Sequence, residues 1–294
     1  MIALIDGAHL AHRSYHTFQT FSNSKGYPTG MIYGFFSILN SYATKFSGKV
    51  IVAWEGGDNW RKEVYPSYKM KRDELDAEIS KGFEDVQRLC TLCGLVQVKK
   101  RGYEADDVLS FLVRRFGTNI RIISGDKDLI QLIDNQKDVF LVRPRKEGLV
   151  QFGEAECLSE FKISKSNFAK YLAIMGDKSD NIRGVYGYGP VKTSNLINNT
   201  VDPIKEVKDM FPNDAERIDL NLKIVDLLDP ETWIRNVSKE DIIWEDADIV
   251  SLNSNFHYYE IRNYNAKDII LNLARKEEQK ILYDRILQQV EYRF

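Results

Sequence analysis

Four short apolar segments rich in β-branched residues most constrain the fold of this chain. By length and composition they are typical of buried strands, at residues 2–6 (IALID), 50–55 (VIVAWE), 120–126 (IRIISGD) and 139–144 (VFLVRP). Helical patterns separate the first three, in TGMIYGFFSILNSYATKF and EADDVLSFLVRRF. Alternation of strands and helices predicts an α/β fold with a mostly parallel central sheet flanked by helices.

The pattern changes near residue 155 and is helical from there to AKDIILNLARKEEQKILYDRILQQVEY. We therefore predict an α/β core over residues 1–155 and a helical region over residues 156–294. Within the core, residues 60–84 are rich in charged and aromatic side chains, with Pro66 among them. We expect this stretch to be a long mobile segment with little burial, of the kind that often carries function.

Composition excludes some classes of protein. The 294 residues are 43% hydrophobic and 29% charged, which is typical of a globular chain, and the longest apolar stretches are strand-sized, so no membrane span is expected. The start lacks the pattern of a signal peptide, and three cysteines fit a reducing compartment, so we expect a cytoplasmic protein. Cys90 and Cys93 fall in a helical pattern and are predicted to be core residues. A net charge of −2 does not indicate nucleic-acid binding, although basic clusters stand apart from the acids.

Acidic residues recur where the predicted strands end and where one helix begins. They are Asp6 (LIDG), Glu55 (AWEGG), Asp126 and Asp128 (SGDKD), and Glu104, Asp106 and Asp107 (GYEADD). The carboxyl ends of parallel strands meet at one edge of a sheet. A helix N-terminus welcomes one or two acids, but a third adds repulsion that a divalent cation would offset. Oxygen ligands without His or Cys favour Mg²⁺ or Mn²⁺, and two such ions suit phosphodiester hydrolysis.

The helical half contains IMGDKSDNIRGVYGYGPVKTSNLI at residues 174–197. Glycine-spaced backbone N–H groups that lead into a helix can bind phosphate. An ordinary glycine-rich turn between helices is the alternative interpretation. We favour contact with a DNA backbone because the glycines lie between two acids and a lysine. The residues concerned are Asp177, Asp180, Gly184, Gly187, Gly189 and Lys192.

Together these motifs resemble the 5′-nuclease, or flap endonuclease, family. LIDGAHLAHRSYHTF and YPTGMIYGF are similar to the start of the 5′-nuclease domain of bacterial DNA polymerase I. IMGDKSDNIRGV, with Arg183 where the polymerase domains usually carry Pro, is closer to free-standing phage 5′-exonucleases. The resemblance covers residues 1 to about 200. It implies a PIN-like 5′-nuclease core, a helical arch at 60–84 and a helix–hairpin–helix-type DNA-binding motif at 174–197.

The resemblance also implies two metal ions and divides the acids between them. One ion would be held by Asp6, Glu55, Glu104 and Asp106, and the other by Asp126, Asp128, Asp177 and Asp180, with Asp106 and Asp107 between them. The family usually has Asp at the end of the second strand, where this chain has Glu55, and Asp58 is the alternative ligand. At the glycine turn, K⁺ is a further candidate cofactor.

Cationic and aromatic side chains receive roles from the same resemblance. Lys69 and Arg72 would lie in the arch, with Lys69 reaching the scissile phosphate, and Arg13 would be a second phosphate-facing cation near the acids. Tyr68 would stack on a base of a single strand. Without the resemblance, each of these residues reads equally well as a solvated surface side chain.

The resulting prediction is a metal-dependent 5′-3′ exonuclease and structure-specific flap endonuclease, of phage or bacterial origin. Its expected partners are DNA with a 5′ flap, 5′ overhang or nick, RNA–DNA hybrids during primer removal, and replication proteins, and it is expected to be a monomer. Recognition would depend on shape and backbone, because no base-reading helix is evident. A non-catalytic DNA-junction-binding protein on the same fold is the alternative, and a ribonuclease acting on RNA alone is a third.

Overall fold

The structure, a computed structural model, describes residues 1–46, 48–70, 76–145, 148–229, 234, 237–263 and 265–288. Its strands are β1 Ile2–Asp6, β2 Val50–Glu55, β3 Val96–Lys100, β4 Ile120–Ile123, β5 Val139–Arg145, β6 Gly148–Phe152, β7 Gly176–Asp177, β8 Ile182–Arg183 and β9 Ile242–Ile243. Its helices are α1 Gly7–Phe18, α2 Gly30–Phe46, α3 Trp60–Val64, α4 Ala77–Leu92, α5 Ala105–Phe116, α6 Glu154–Phe161, α7 Phe168–Met175, α8 Pro190–Asn199, α9 Pro203–Met210, α10 Ala215–Val225, α11 Ile249–Tyr258, α12 Ala266–Leu273 and α13 Lys276–Leu287.

The chain divides into two compact units. Unit 1 comprises Met1–Gly57, Leu75–Ser124 and Ile234–Phe294, and unit 2 comprises Asp58–Glu74 and Gly125–Trp233. This division does not follow the boundary expected near residue 155, because the last three helices belong to unit 1. Long-range packing decides unit membership, and a change in local pattern along the sequence does not report it.

Unit 1 is built on a parallel sheet, as the alternation of strands and helices predicts. Its strands lie in the order β4-β1-β2-β3-β9, and only the short β9 pairs antiparallel. Every residue of β1 is buried, which is the signature of a parallel strand covered on both faces. Trp54, Phe35 and Phe36 are among the largest fully buried side chains of the core. The predicted fold class is confirmed.

β3 is a parallel strand of the unit 1 sheet that the sequence does not predict. Its sequence, VQVKK, is too short and too polar to stand out as an apolar run. Gln97 is nevertheless buried, because its side-chain oxygen accepts a hydrogen bond of 2.8 Å from the indole N–H of Trp54 on β2. A second correction concerns β4, which ends at Ile123, so residues 124–126 of the predicted strand lie beyond it.

Unit 2 combines small β elements with helices. β5 and β6 form an antiparallel hairpin, and β7 and β8 form a two-residue ribbon. Its helices pack around a small apolar cluster of Ile174, Val185, Tyr188, Val207 and Ile218. The ribbon interrupts a stretch that was expected to be wholly helical.

Cys90 and Cys93 are fully buried at the end of α4, which confirms the prediction that they are core residues. Burial raises the pKa of both thiols. Among the described residues, no helix combines the length and the apolar character that crossing a membrane requires.

α13 is anchored to the sheet of unit 1 by one buried glutamine. The side-chain nitrogen of Gln279 donates to the backbone oxygens of Gly48 at 2.6 Å and Val50 at 3.0 Å, and its oxygen accepts from the Val96 N–H at 2.7 Å. Gln279 thereby bonds backbone groups at the starts of β2 and β3 from a fully buried position.

We expect Gln279→Leu to lower the free energy of unfolding by about 2–4 kcal/mol, because it removes three buried hydrogen bonds to the backbone without changing the volume much. Urea unfolding of the purified protein measures this. Gln288→Leu, at the exposed C-terminal end of the same helix, is the control and should be within about 0.5 kcal/mol of wild type. Equal stability of Gln279→Leu and wild type would contradict the anchoring role.

Candidate active site

Unit 1 brings two predicted acids to the carboxyl edge of its sheet. β1 and β2 are parallel neighbours, and Asp6 and Glu55 are their last residues. Asp6 is buried, and its carboxylate accepts hydrogen bonds from the His9 N–H at 3.0 Å and the Ser124 hydroxyl at 2.7 Å. Asp6 therefore both begins α1 and joins the ends of β1 and β4. Glu55 is exposed to solvent at the end of β2.

The acids at the start of α5 divide into two kinds. Glu104 is the residue before the helix, and the carboxylate of Asp107 accepts a hydrogen bond of 3.0 Å from its backbone N–H, so the pair forms a capping box. Capping accounts for the buried Asp107 without any metal, in line with the simpler interpretation of the motif. Asp106 lies in the same turn and is half-buried, in the position that the prediction gives to a ligand.

Unit 2 holds Asp126 and Asp128 directly after β4 in the chain. Asp126 accepts a hydrogen bond of 2.9 Å from the Asp128 backbone N–H, which fixes the turn between them. The Oδ1 atom of Asp128 is buried and has no hydrogen-bond partner among the described residues. Burial, and after it the neighbouring charge of Asp126, raises the pKa of Asp128 to about 8.

Asp177 and Asp180 follow about fifty residues later in the sequence and belong to the same unit as Asp126 and Asp128. Asp177 ends β7 and accepts hydrogen bonds from the backbone N–H of Ser179 at 2.7 Å and from its hydroxyl at 2.5 Å. The Lys127 ammonium donates to its other oxygen. Although burial acts in the opposite direction, the hydrogen bonds from Lys127 and Ser179 hold the pKa of Asp177 below its ordinary value.

Asp180 is buried and is approached by residues of the 60–70 segment. Its Oδ2 atom accepts a hydrogen bond of 3.0 Å from the Tyr68 hydroxyl and lies 3.7 Å from the Lys69 ammonium. Lys127 and Lys69 thus place one positive charge on each of the two later acids. The two lysines offset only part of the repulsion among the acids of unit 2. The remaining repulsion contributes to the raised pKa of Asp128.

These acids fit a hard divalent cation. Within the described parts of the chain, no three acidic, His or Cys side chains already converge on one metal-sized position. The buried, partnerless oxygen of Asp128 is nevertheless an atom that a cation would satisfy, and every candidate ligand is an oxygen donor, as Mg²⁺ and Mn²⁺ prefer. Within unit 2 the candidate ligands are Asp126, Asp128, Asp177 and Asp180, and within unit 1, as a separate set, they are Asp6, Glu55, Glu104 and Asp106.

The segment expected to be mobile and little buried is partly buried, so that expectation is wrong for two of its side chains. Arg61 is 2% exposed, donates from Nε to the Ile224 backbone oxygen at 2.8 Å, and lies over the Trp60 ring. Tyr68 is 3% exposed, so it is not presented to a base in this arrangement. Aromatic and basic residues have the same composition whether they face solvent or pack on each other. Composition therefore could not predict the burial of Arg61 and Tyr68.

The other cationic residues predicted to contact phosphate are Lys69, Arg13 and Arg72. Lys69 is half-buried, and its backbone has a positive φ of 53°. Arg13 is half-buried on α1, seven residues after Asp6. Arg72 lies outside the described residues.

The glycine motif forms a turn between α7 and α8, with the β7–β8 ribbon at its start. Gly176 and Gly184 pack backbone to backbone, since a Cβ on Gly184 would lie 2.0 Å from the Met175 oxygen. Gly187 has a φ of +78° and Gly189 precedes α8, and a Cβ on either would meet open space. The absence of a side chain at Gly184 thus serves packing, whereas Gly187 and Gly189 leave the start of α8 open to a ligand.

Other features of this turn favour an anion. The exposed Lys192 lies on the first turns of α8, with its ammonium 4.0 Å from the Tyr188 ring centre. A cleft of ≈ 520 Å³ runs from Lys127 and Asp177 past Gly184 to Gly189 and Pro190, which begins α8. Asp177, Lys127 and the glycine turn of unit 2 therefore line one cleft.

Sequence reasoning missed two residues that hold this turn. Arg217 on α10 donates to the backbone oxygens of Arg183 at 2.5 Å and Gly184 at 2.7 Å. The buried Asn221, one turn further along, donates to the Arg183 oxygen at 2.9 Å and to the Ala173 oxygen at 3.0 Å. Both act across more than thirty residues of sequence, so no local motif could have identified them.

Carboxylates at the ends of β1 and β2, together with the acids and the glycine turn of unit 2, are the combination from which the sequence predicts a nuclease. Residues 1–162 match the family model described as 5'-3' exonuclease, N-terminal resolvase-like domain, which is more than half of the chain. The chain belongs to this family, and the resemblance drawn from its motifs is confirmed.

Individual relatives agree with this assignment. A 5'-3' exonuclease of Aquifex aeolicus is 28% identical over 275 residues, 88% of this chain and 92% of that protein. The thermostable DNA polymerase I of Thermus aquaticus is 32% identical over 200 residues, which are 67% of this chain but only 23% of the polymerase. Among solved structures, a T5 protein co-crystallised with metal ions superimposes with a TM-score of 0.61 and 25% identity, over 77% of this chain and 89% of its own.

The raised pKa of Asp128 makes stability depend on pH. Without metal, the unfolded chain ionises this carboxyl near its ordinary pKa of 3.8, whereas the folded protein keeps it protonated up to about pH 8. The free energy of unfolding should therefore fall as the pH rises between these values. Asp128→Asn removes this dependence and should be more stable than wild type by at least about 1 kcal/mol at pH 8, with little difference near pH 4.

Urea unfolding in the presence of a chelator, from pH 4 to pH 8, measures this difference. The control is Asp268→Asn, which changes an exposed carboxylate in the first turn of α12 and should leave the pH profile as in wild type. Parallel profiles for Asp128→Asn and wild type would mean that Asp128 is not under the proposed electrostatic stress.

Proposed function

We propose that this nuclease is a metal-dependent 5′-3′ exonuclease and structure-specific flap endonuclease that hydrolyses phosphodiesters of DNA where single and double strands meet. The observation that carries the proposal is the buried carboxylate oxygen of Asp128, which has no protein partner among the described residues and lies in a cluster of acids. Further support comes from the Aquifex aeolicus relative, named a 5'-3' exonuclease, and from the T5 protein that was co-crystallised with metal ions.

The proposal assigns one divalent cation, Mg²⁺ or Mn²⁺, to each acidic cluster in a two-metal mechanism. Bound there, the ions would lower the pKa of water and stabilise charge on the transferring phosphate. Glu55 is the preferred ligand over Asp58 because it completes β2 in the same unit as Asp6, whereas Asp58 belongs to unit 2. Asp107 is assigned to capping, and Asp106 to ligation.

Basic side chains of the chain would bind and orient the phosphate. Lys69, with its ammonium already 3.7 Å from Asp180, would stabilise the charge that develops during cleavage. Lys127, bonded to Asp177, would have to release this carboxylate for a metal ion to bind it. Arg13 and Arg72 are proposed as further phosphate contacts.

The glycine turn would bind the backbone of the duplex. The open N-terminus of α8 and the exposed Lys192 provide N–H groups and a positive charge for phosphates, and K⁺ is proposed to assist there. RNA–DNA hybrids are proposed as additional substrates, and replication proteins as partners. Binding to both strands near a junction distinguishes this proposal from a ribonuclease that acts on RNA alone.

A 5′-flap DNA labelled at its 5′ end tests the proposed function. We expect cleavage near the junction with Mg²⁺ and none with a chelator or with Ca²⁺ in its place. Asp128→Asn should lower the single-turnover rate by at least 10²-fold and should change the dissociation constant in Ca²⁺ only a few-fold, because a ligand rather than a DNA contact is lost. Asp268→Asn is the matched control and should cleave normally.

The competing function makes a different prediction for the same assay. A non-catalytic junction-binding protein would bind the flap and leave it intact under every metal condition. That outcome, or normal cleavage by Asp128→Asn, would contradict the proposed function or the proposed site, respectively.

A further inference from the structure

Four hydrogen bonds and one ion pair connect residues 65–69 to Asp180 and Asn181. The backbone N–H of Lys69 donates to the Asp180 oxygen at 2.9 Å, and the Tyr68 hydroxyl donates to the Asp180 carboxylate at 3.0 Å. The Asn181 side-chain amide donates to the Ser67 oxygen at 2.7 Å, and the Tyr65 hydroxyl donates to the Asn181 oxygen at 3.0 Å. The fifth contact is an ion pair, in which the Lys69 Nζ atom lies 3.7 Å from the Asp180 Oδ2 atom.

Asn181 is the centre of this arrangement. Its φ is 59°, in the left-handed region that Asn and Gly tolerate better than most residues. This conformation turns its carbonyl toward Tyr65 while its amide reaches Ser67, so that one residue holds both sides of the 65–69 turn. Because Asn181 directly follows Asp180, the same contacts set the distance between that carboxylate and Lys69.

Holding the backbone of Lys69 in place matters because of the flexibility of its side chain. A lysine side chain is flexible and loses substantial conformational entropy when it is held in one place. Fixing the backbone from which it starts restricts the volume that its ammonium can sample. Lys69, whose own φ of 53° is held by this turn, is thereby kept near Asp180 before any substrate is bound.

We propose that Asn181 is a positioning residue that fixes the turn at residues 65–69 against Asp180 and thereby places the Lys69 ammonium for phosphate. Asn181 itself touches neither phosphate nor metal and acts through Lys69. The inference rests on the proposed function for the role of Lys69, whereas the connection itself rests on the hydrogen bonds alone.

Amide hydrogen exchange tests whether Asn181 holds the turn at residues 65–69, and this measurement does not require DNA cleavage. Asn181→Gly keeps the left-handed backbone but removes the amide that binds Ser67, so exchange of the Lys69 N–H should accelerate at least tenfold. Asn119→Gly is the matched control, because Asn119 has a φ of 60° in unit 1, and it should leave exchange at Lys69 unchanged. Unchanged exchange in Asn181→Gly would overturn the connection.

A double-mutant cycle tests whether Asn181 acts through Lys69. In single-turnover cleavage of flap DNA at saturating enzyme, Asn181→Gly should lower the rate at least tenfold and Lys69→Ala about 10²-fold. The double variant should be within about twofold of Lys69→Ala, because Asn181 has nothing left to position. Multiplying effects, or a normal rate for Asn181→Gly, would overturn the proposal.

A second variant protects the test against misfolding. Asn181→Asp has the same shape and tolerates the same backbone, but its ionised carboxylate cannot donate to Ser67, so it should reproduce the faster exchange of the Lys69 N–H. If wild type leaves flap DNA intact, the proposed function fails and the role of Lys69 with it, while the exchange experiment still decides whether Asn181 holds the turn.

Discussion

Repulsion among carboxylates is the constraint on which the proposed active site of this nuclease depends. In unit 2, four acids lie close enough for their charges to interact, and one of them, Asp128, has a raised pKa and a buried oxygen without a partner among the described residues. Folding buries such groups only when something offsets their charge. Lys127 and Lys69 offset part of it by pairing with Asp177 and Asp180, and a divalent cation would offset the rest.

Hydrogen bonds from other side chains hold Lys69 and the glycine turn in place near these acids. Lys69 is held by the turn that Asn181 fixes, and the glycine turn is held by Arg217 and Asn221 through backbone oxygens. These supports come from segments far apart in sequence. A site built in this way has its charged groups placed before a ligand binds, which is what electrostatic stabilisation of a phosphate requires.

Much of this could be predicted from sequence, and the failures have physical causes. β1 and β2 have the predicted bounds because fully buried parallel strands are continuous apolar runs. β3 was missed because its burial depends on a hydrogen bond between Gln97 and Trp54, which are 43 positions apart. Among the acids, Asp107 serves a capping box, and a triple-acid motif alone cannot separate capping from ligation. The buried Tyr68 was interpreted as exposed because its partner, Asp180, is more than a hundred residues away.

The central claim is that the acidic clusters bind divalent cations. Calorimetric titration of metal-free protein with Mn²⁺ at neutral pH tests it most directly, because it needs neither substrate nor turnover. We expect saturable binding of two ions per chain in wild type, and the loss of one of them in a variant that carries both Asp126→Asn and Asp128→Asn. Absence of saturable binding in wild type, or identical binding in the variant, would contradict the account.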